Sequence, residues 1–123
     1  MNLTIDKQEK YVLLKISEPK LTSIVAPELK AAIVMLHHDG FRNIVMDLSE
    51  VQYCDSSGLS AILVGFRMCR DNNGTFVLAE VQEHVKKLIS ISQLETMLNQ
   101  VPTVQEAVDL IFMEEVEKQL HKE

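Results

Sequence analysis

The hydrophobic pattern changes period several times along the chain, and each change marks an element. Leu3 and Ile5, and then Tyr11 to Ile16, read as two short strands. The polar stretch Lys7 to Lys10 between them predicts a hairpin turn. Pro19 interrupts any continuation and leaves Lys20 to Ser23 as a short edge segment. Pro27 is suited to a first helical turn and opens a helix that runs to about His38. Leu29, Ala32, Ile33 and Leu36 recur there at helical spacing, and Asp39-Gly40 supplies the stop. Ile44, Val45, Met46 and Leu48 hardly alternate, so Asn43 to Leu48 predicts a strand buried on both faces.

A second helical stripe, Leu59, Ile62, Leu63 and Phe66, begins at Ser56 and ends near Asn72, Asn73 and Gly74. Thr75 to Ala79 follows as a strand. Val85, Leu88, Ile89 and Ser92 then form a third helical stripe, and Met97 to Val101 a last short strand before Pro102. Thr103-Val104-Gln105-Glu106 matches a capping box, in which each side chain satisfies the other residue's backbone N–H. The helix it starts packs Val104, Ala107, Val108 and Ile111 inward, and residues 113–123 are expected to be a charged, solvated helix end. Strands alternating with helices imply right-handed βαβ crossovers. The expected fold is α/β or mixed α+β, one domain over residues 1–123. It has a mostly parallel sheet of four or five strands, an N-terminal hairpin and about four helices. Functional groups in such sheets gather at the carboxyl ends of the strands.

Composition narrows what this fold can do. With 123 residues, 46% of them hydrophobic and 24% charged, the chain is globular and long enough for a real core. Aromatics are only 5%, so the core must be mostly Val, Ile, Leu and Met, with Met35, Met46, Met68, Met97 and Met113 in or near it. A net charge of −6 without a basic stripe argues against nucleic acid as a partner. Cys54 and Cys69 have no CxxC or paired-histidine spacing, so they indicate buried small hydrophobes in a reducing compartment, with neither zinc nor a disulfide framework. Met1 to Lys10 is polar, and no run approaches the roughly 18 apolar residues of a membrane span. A soluble, cytoplasmic chain with no membrane contact is expected. Adjacent His37 and His38 point to different helix faces, one toward the terminal carbonyls and one to solvent, so no metal site is expected. There is no GxxxxGK[ST] loop, and no cofactor is expected.

The segment richest in chemistry is Asp55-Ser56-Ser57-Gly58-Leu59, which carries the chain from the buried strand into the second helix. It sets a serine hydroxyl, Ser56, beside unpaired N–H groups and partial positive charge, where an anion is tolerated. The same residues suit a plain N-cap, because Asp and Ser oxygens accept the orphan N–H bonds. Gly58 weakens a first turn and indicates close packing or the approach of a partner. A nucleophilic Ser56 would superficially resemble a hydrolase elbow. The Gly-x-Ser-x-Gly pattern is absent, however, and His37, His38, His84 and His121 offer no base at a strand end.

Several pieces together carry a family likeness: Ile44-Val45-Met46-Asp47-Leu48-Ser49, Tyr53-Cys54-Asp55-Ser56-Ser57-Gly58-Leu59, Gly74-Thr75-Phe76-Val77-Leu78 and Val85-Lys86-Lys87-Leu88. With these the chain resembles the STAS-domain family, specifically the bacterial anti-sigma factor antagonists, from the first strand to about Leu110. The resemblance implies a STAS-type domain and a non-catalytic, partner-switching role. It implies binding to an anti-sigma factor of the serine-kinase type, with Ser56 as phosphoacceptor and a PP2C-type phosphatase to remove the phosphate. By position it makes Asp55 the acidic neighbour and Asp55, Ser56, Ser57, Gly58 and Leu59 the partner-binding motif. The chain departs from the family over Ser17 to Thr22: Thr22 stands near the place where many antagonists carry an Asp, and Glu18 is the nearest acidic substitute. A STAS scaffold bound without phosphorylation, and more remotely a serine hydrolase, are the alternatives.

Overall fold

The computed structural model describes residues 1–121. The elements run β1 (Leu3–Lys7), β2 (Val12–Ile16), β3 (Lys20–Leu21), α1 (Ala26–His38), β4 (Ile44–Asp47), β5 (Tyr53–Cys54), α2 (Ser56–Asp71), β6 (Phe76–Ala79), α3 (Glu83–Ile91), β7 (Asn99–Val101) and α4 (Val104–His121). Five strands form one sheet in the order β1-β2-β4-β6-β7, antiparallel at β1–β2 and parallel at the other pairings. The fold is therefore the mixed α/β arrangement with an N-terminal hairpin that the periodicities predict.

Strands β4 and β6 lie in the middle of the sheet, and all their residues are buried. That is the physical reason for their unbroken apolar runs. On one face Ile44, Met46 and Leu78 pack with Leu29 and Ile33 of α1, Ile62 of α2 and Val85 and Ile89 of α3. On the other face Val45, Val77 and Ala79 pack with Ala107 and Ile111 of α4. The buried Asn43 side chain sets the register at the start of β4: its amide donates to the Lys10 carbonyl at 2.9 Å, and its oxygen accepts from Thr75 N–H at 2.8 Å. The capping box of α4 is formed, with Glu106 N–H to Thr103 Oγ1 and Thr103 N–H to Glu106 Oε2 both at 3.1 Å. Among the described residues no helix is long and apolar enough to cross a membrane.

Several local expectations are corrected. Tyr53–Cys54 forms a strand of which the sequence pattern gives no sign, and it pairs in parallel with the edge segment Lys20–Leu21 to make a separate two-stranded sheet. Leu63 and Phe66 are only half-buried, because small residues, Gly58, Ala61 and Gly65, let α2 press a neighbouring face inward with Leu59, Ile62 and Cys69. Ser92 is the exposed C-cap of α3 and adds nothing to its stripe. Met46 is buried and Met68 half-buried, but Met35, Met97 and Met113 are exposed. His37 lies with Nδ1 2.6 Å from the Asn72 side-chain nitrogen, and the last α1 carbonyls are met by the N–H groups of Asp39 and Gly40 instead. The end of α4 is not uniformly solvated. Glu115 and Lys118 share the inward face with Ile111, Glu115 pairing with Arg42 and Lys118 donating to the Asn73 carbonyl at 2.7 Å, while Phe112, Met113, Val116 and Leu120 face outward. Lys122 and Glu123 of that stretch lie outside the described residues.

Gly74, between α2 and β6, lies so near the Arg42 carbonyl that an added Cβ would overlap backbone atoms. Gly74→Ala is therefore expected to lower the free energy of urea unfolding by about 1–3 kcal/mol, the usual cost of forcing atoms into packed structure. An unchanged midpoint would show that these chain segments do not meet as described.

Candidate functional site

The small β3–β5 sheet delivers the start of α2. Gln52 and Tyr53 both donate to the Pro19 carbonyl, at 2.9 and 3.1 Å, and Asp55 N–H donates to the Leu21 carbonyl at 3.2 Å. Asp55 is extended, with φ −99° and ψ −175°, and is the N-cap of α2. Its Oδ1 accepts from Gly58 N–H at 2.9 Å, satisfying one orphan donor of the helix. Its Oδ2 accepts from Ser23 N–H at 3.3 Å. The approach to α1 is held in turn by the Thr22 carbonyl, which accepts from Val25 and Ala26 at 3.1 and 2.8 Å. Asp55 thus ties the beginnings of α1 and α2 together with one carboxylate.

Gly58 is explained by the same junction. A Cβ there would overlap the Leu21 carbonyl oxygen and stand 2.7 Å from Cys54 Sγ, so a side chain would push α2 off β3. Leu59, next along, is buried and anchors the first turn in the core. Ser56 is exposed as the first residue of the helix, and Ser57 is half-buried. The first turn of α2 contains no acidic residue, so the partial positive charge of the helix end is uncompensated beyond the Asp55 cap. The motif Asp55 to Leu59 therefore divides its work: Asp55, Gly58 and Leu59 fix the platform, and Ser56 is displayed on it.

Other sequence candidates are placed elsewhere. Asp47, in the strand piece of the family likeness, is 7% exposed and accepts from Ser49 N–H at 2.9 Å, so it closes the turn after β4. Glu18 accepts from Asn2 N–H at 2.9 Å and ties down the start of β1. Burial pushes the Cys54 thiol up to about 12, with the nearby Asp55 charge adding to it. Burial likewise pushes Cys69 up to about 12, against lowering by a backbone hydrogen bond at Ile44 and the Lys118 charge. Both thiols are protonated at neutral pH, as buried structural cysteines are. His84 lies against Tyr53 with ring centroids 4.8 Å apart, His37 meets Asn72 at the far end of α2, and His121 lies 3.7 Å from Glu117. None of these three imidazoles hydrogen-bonds Ser56. No group of three or more metal-ligating side chains occurs among the described residues.

Sequence reasoning missed the Tyr53–His84 pair and the Ser23 to Asp55 hydrogen bond. A two-residue strand has no measurable period, and neither contact is local in sequence. The single usable signal was Tyr53 itself, an aromatic residue three positions before the exposed serine.

Comparison with known proteins agrees with this geometry. Residues 2–107 match the family model described as the STAS domain. BtrV of Bordetella bronchiseptica, a proposed anti-sigma factor antagonist, is 32% identical over 92 residues, covering 75% of this chain and 78% of that protein. The anti-sigma-B factor antagonist of Staphylococcus aureus is 27% identical over 101 residues, covering 80% and 93%. In fold, the chain is similar to the anti-sigma factor antagonist SpoIIAA in its unphosphorylated form, with TM-score 0.77 and 19% identity over 89% of this chain and 96% of that one. The phosphorylated form of SpoIIAA from Bacillus superposes with TM-score 0.71 at 19% identity, covering 89% and 99%. The β-hairpin, the parallel core, the Asp-Ser-Ser-Gly-Leu junction and these matches agree: the chain belongs to the STAS domain family, among the anti-sigma factor antagonists.

Proposed function

We propose that this chain is a non-catalytic partner switch in the cytoplasm: unmodified, it binds an anti-sigma factor of the serine-kinase type through the Asp55–Leu59 motif, with Ser56 and Ser57 facing the partner and buried Gly58 and Leu59 holding them in place, and phosphorylation of Ser56 releases it. A PP2C-type phosphatase would restore the hydroxyl by hydrolysis. The observation that carries this reading is an exposed Ser56 on a platform whose neighbouring carboxylate is already committed to two backbone donors. The phosphoryl group moves from ATP held by the kinase. The Ser56 oxygen forms a bond to the γ-phosphorus, the bond to the bridging oxygen breaks, ADP leaves and the hydroxyl proton is lost.

The modified residue gains about −1.5 to −2 charges. A negative group at a helix start is favoured by about 0.3–1 kcal/mol. Asp55 opposes it by a similar amount, since unit charges about 4 Å apart in water interact by about 1 kcal/mol. With about 1.5 to 2 charges on the phosphate the repulsion exceeds the gain by only about 1 kcal/mol, which is small beside a domain stability of about 5–15 kcal/mol, so modification leaves the fold intact. The effect falls on the interface, where a partner fitted to a neutral hydroxyl would have to desolvate a dianion. The fold shared with SpoIIAA, which has been solved both without and with phosphate, supports such tolerance.

The direct test uses the anti-sigma factor recovered from the native cell on immobilised chain and then purified. Titration calorimetry should find Ser56→Ala close to wild type, and Ser56-phosphorylated chain weaker by at least about tenfold, or roughly 1.4 kcal/mol. Ser56→Asp should fall in the same direction. Equal affinity of phosphorylated and unmodified chain would overturn the switch and leave the scaffold reading.

The role given to Asp55 has its own test. Asp55→Ala should lower stability to denaturant by about 1 kcal/mol through loss of the cap, and Asp55→Asn by less, because its single amide oxygen can still cap Gly58 N–H while Ser23 N–H loses its acceptor. Full stability of Asp55→Ala would contradict the clamp.

A further inference from the structure

We infer that the partner surface extends beyond the motif to the segment before α1 and to Tyr53, and that Ile24 is its apolar anchor and a determinant of partner specificity. This rests on the partner-switch reading above. Ile24 is 85% exposed, the highest value among the exposed large hydrophobics. A single exposed apolar side chain means little by itself. The backbone around this one, however, is fixed: Ser23 N–H is held by Asp55, and Thr22 accepts from both Val25 and Ala26. An apolar side chain held in place before binding loses little conformational entropy when a partner covers it.

On the other side of Asp55 stands Tyr53, which is 42% exposed while its strand neighbour Cys54 is buried. Alternation along β5 turns the Tyr53 ring outward. There it is braced by the His84 ring, the two planes tilted by 35°. Two residues, Cys54 and Asp55, separate Tyr53 from Ser56, so their Cα atoms are at most about 11 Å apart. The exposed side chains on the residues next to this carboxylate clamp are therefore an apolar one, Ile24, a bare hydroxyl, Ser56, and an aromatic ring, Tyr53. The one carboxylate among them, Asp55, is already engaged by backbone donors.

These three groups set the chemistry of the partner: an apolar contact for Ile24, a flat surface for Tyr53, and a close fit to a neutral hydroxyl at Ser56. Apolar and aromatic contacts around a central group exclude water from it. A phosphate introduced at Ser56 would then be stripped of water and left unpaired, which is far more costly than at a wet rim. Ile24 and Tyr53 thus act as amplifiers of the switch as well as anchors.

The test compares Ile24→Thr, Tyr53→Thr and the control Ile91→Thr, binding the same purified anti-sigma factor with and without phosphate on Ser56. Ile91 is also highly exposed, but lies at the last turn of α3, away from His84 in the first. Ile24→Thr should bind at least about tenfold more weakly, Tyr53→Thr several-fold more weakly, and Ile91→Thr as wild type. The weakening caused by phosphorylation should also shrink in Ile24→Thr, because its surface is wetter. Circular dichroism and thermal midpoints establish that each variant is folded, and Ile24→Ala serves if Ile24→Thr is not. Wild-type affinity of the folded Ile24 variant, with phosphorylation still weakening binding, would overturn this inference and leave the switch standing. Weakening by Ile24→Thr with no effect of phosphorylation would instead uphold the surface and remove the switch.

Discussion

The close approach of the first turn of α2 to β3 is the constraint on which the displayed surface depends. Gly58 permits it, because the Leu21 carbonyl and Cys54 Sγ fill the space a side chain would need. Asp55 secures it, with one oxygen on the Gly58 N–H and the other on Ser23 N–H. Together they convert a helix start, which would otherwise fray, into a fixed edge between two helices. A serine at the first helical position of such an edge is held out to solvent with little freedom of its own.

That edge is only as firm as the sheet behind it. Buried β4 and β6 fix the direction in which α2 leaves the core, and the satisfied amide of Asn43 fixes their relative register at the opposite end. The two faces of the sheet carry separate packing clusters, with α1, α2 and α3 on one and α4 on the other. Events at the start of α2 therefore bear on one layer and on the β3–β5 ribbon before they can reach α4. This separation is why a charge added at Ser56 is expected to change what the surface can bind while the shape persists.

The central strands, the four helices and the capping box were legible in the sequence because each depends on a repeating local pattern. The apolar run Ile44 to Leu48 and the stripe through Leu59 and Ile62 are burial written as periodicity. The β3–β5 pairing was not legible, since two residues per strand give no period and the partners are far apart in the chain. The end of α4 misled for another reason. Its Glu115 and Lys118 are charged yet turned inward to meet Arg42 and the Asn73 carbonyl, which composition alone cannot disclose. At the site, the motif identified Ser56, but the motif alone did not show that the Asp55 carboxylate is shared between two helix beginnings.

With Ser56 on a rigid platform, phosphorylation should alter surface chemistry and not shape. Backbone amide NMR of the whole chain, recorded before and after stoichiometric phosphorylation of Ser56, tests it most directly. Shift changes should be confined to residues around 22–24 and 53–59, with amides of β4, β6 and α4 unmoved. Changes spread through those strands, or loss of hydrogen-exchange protection at the start of α2, would contradict it.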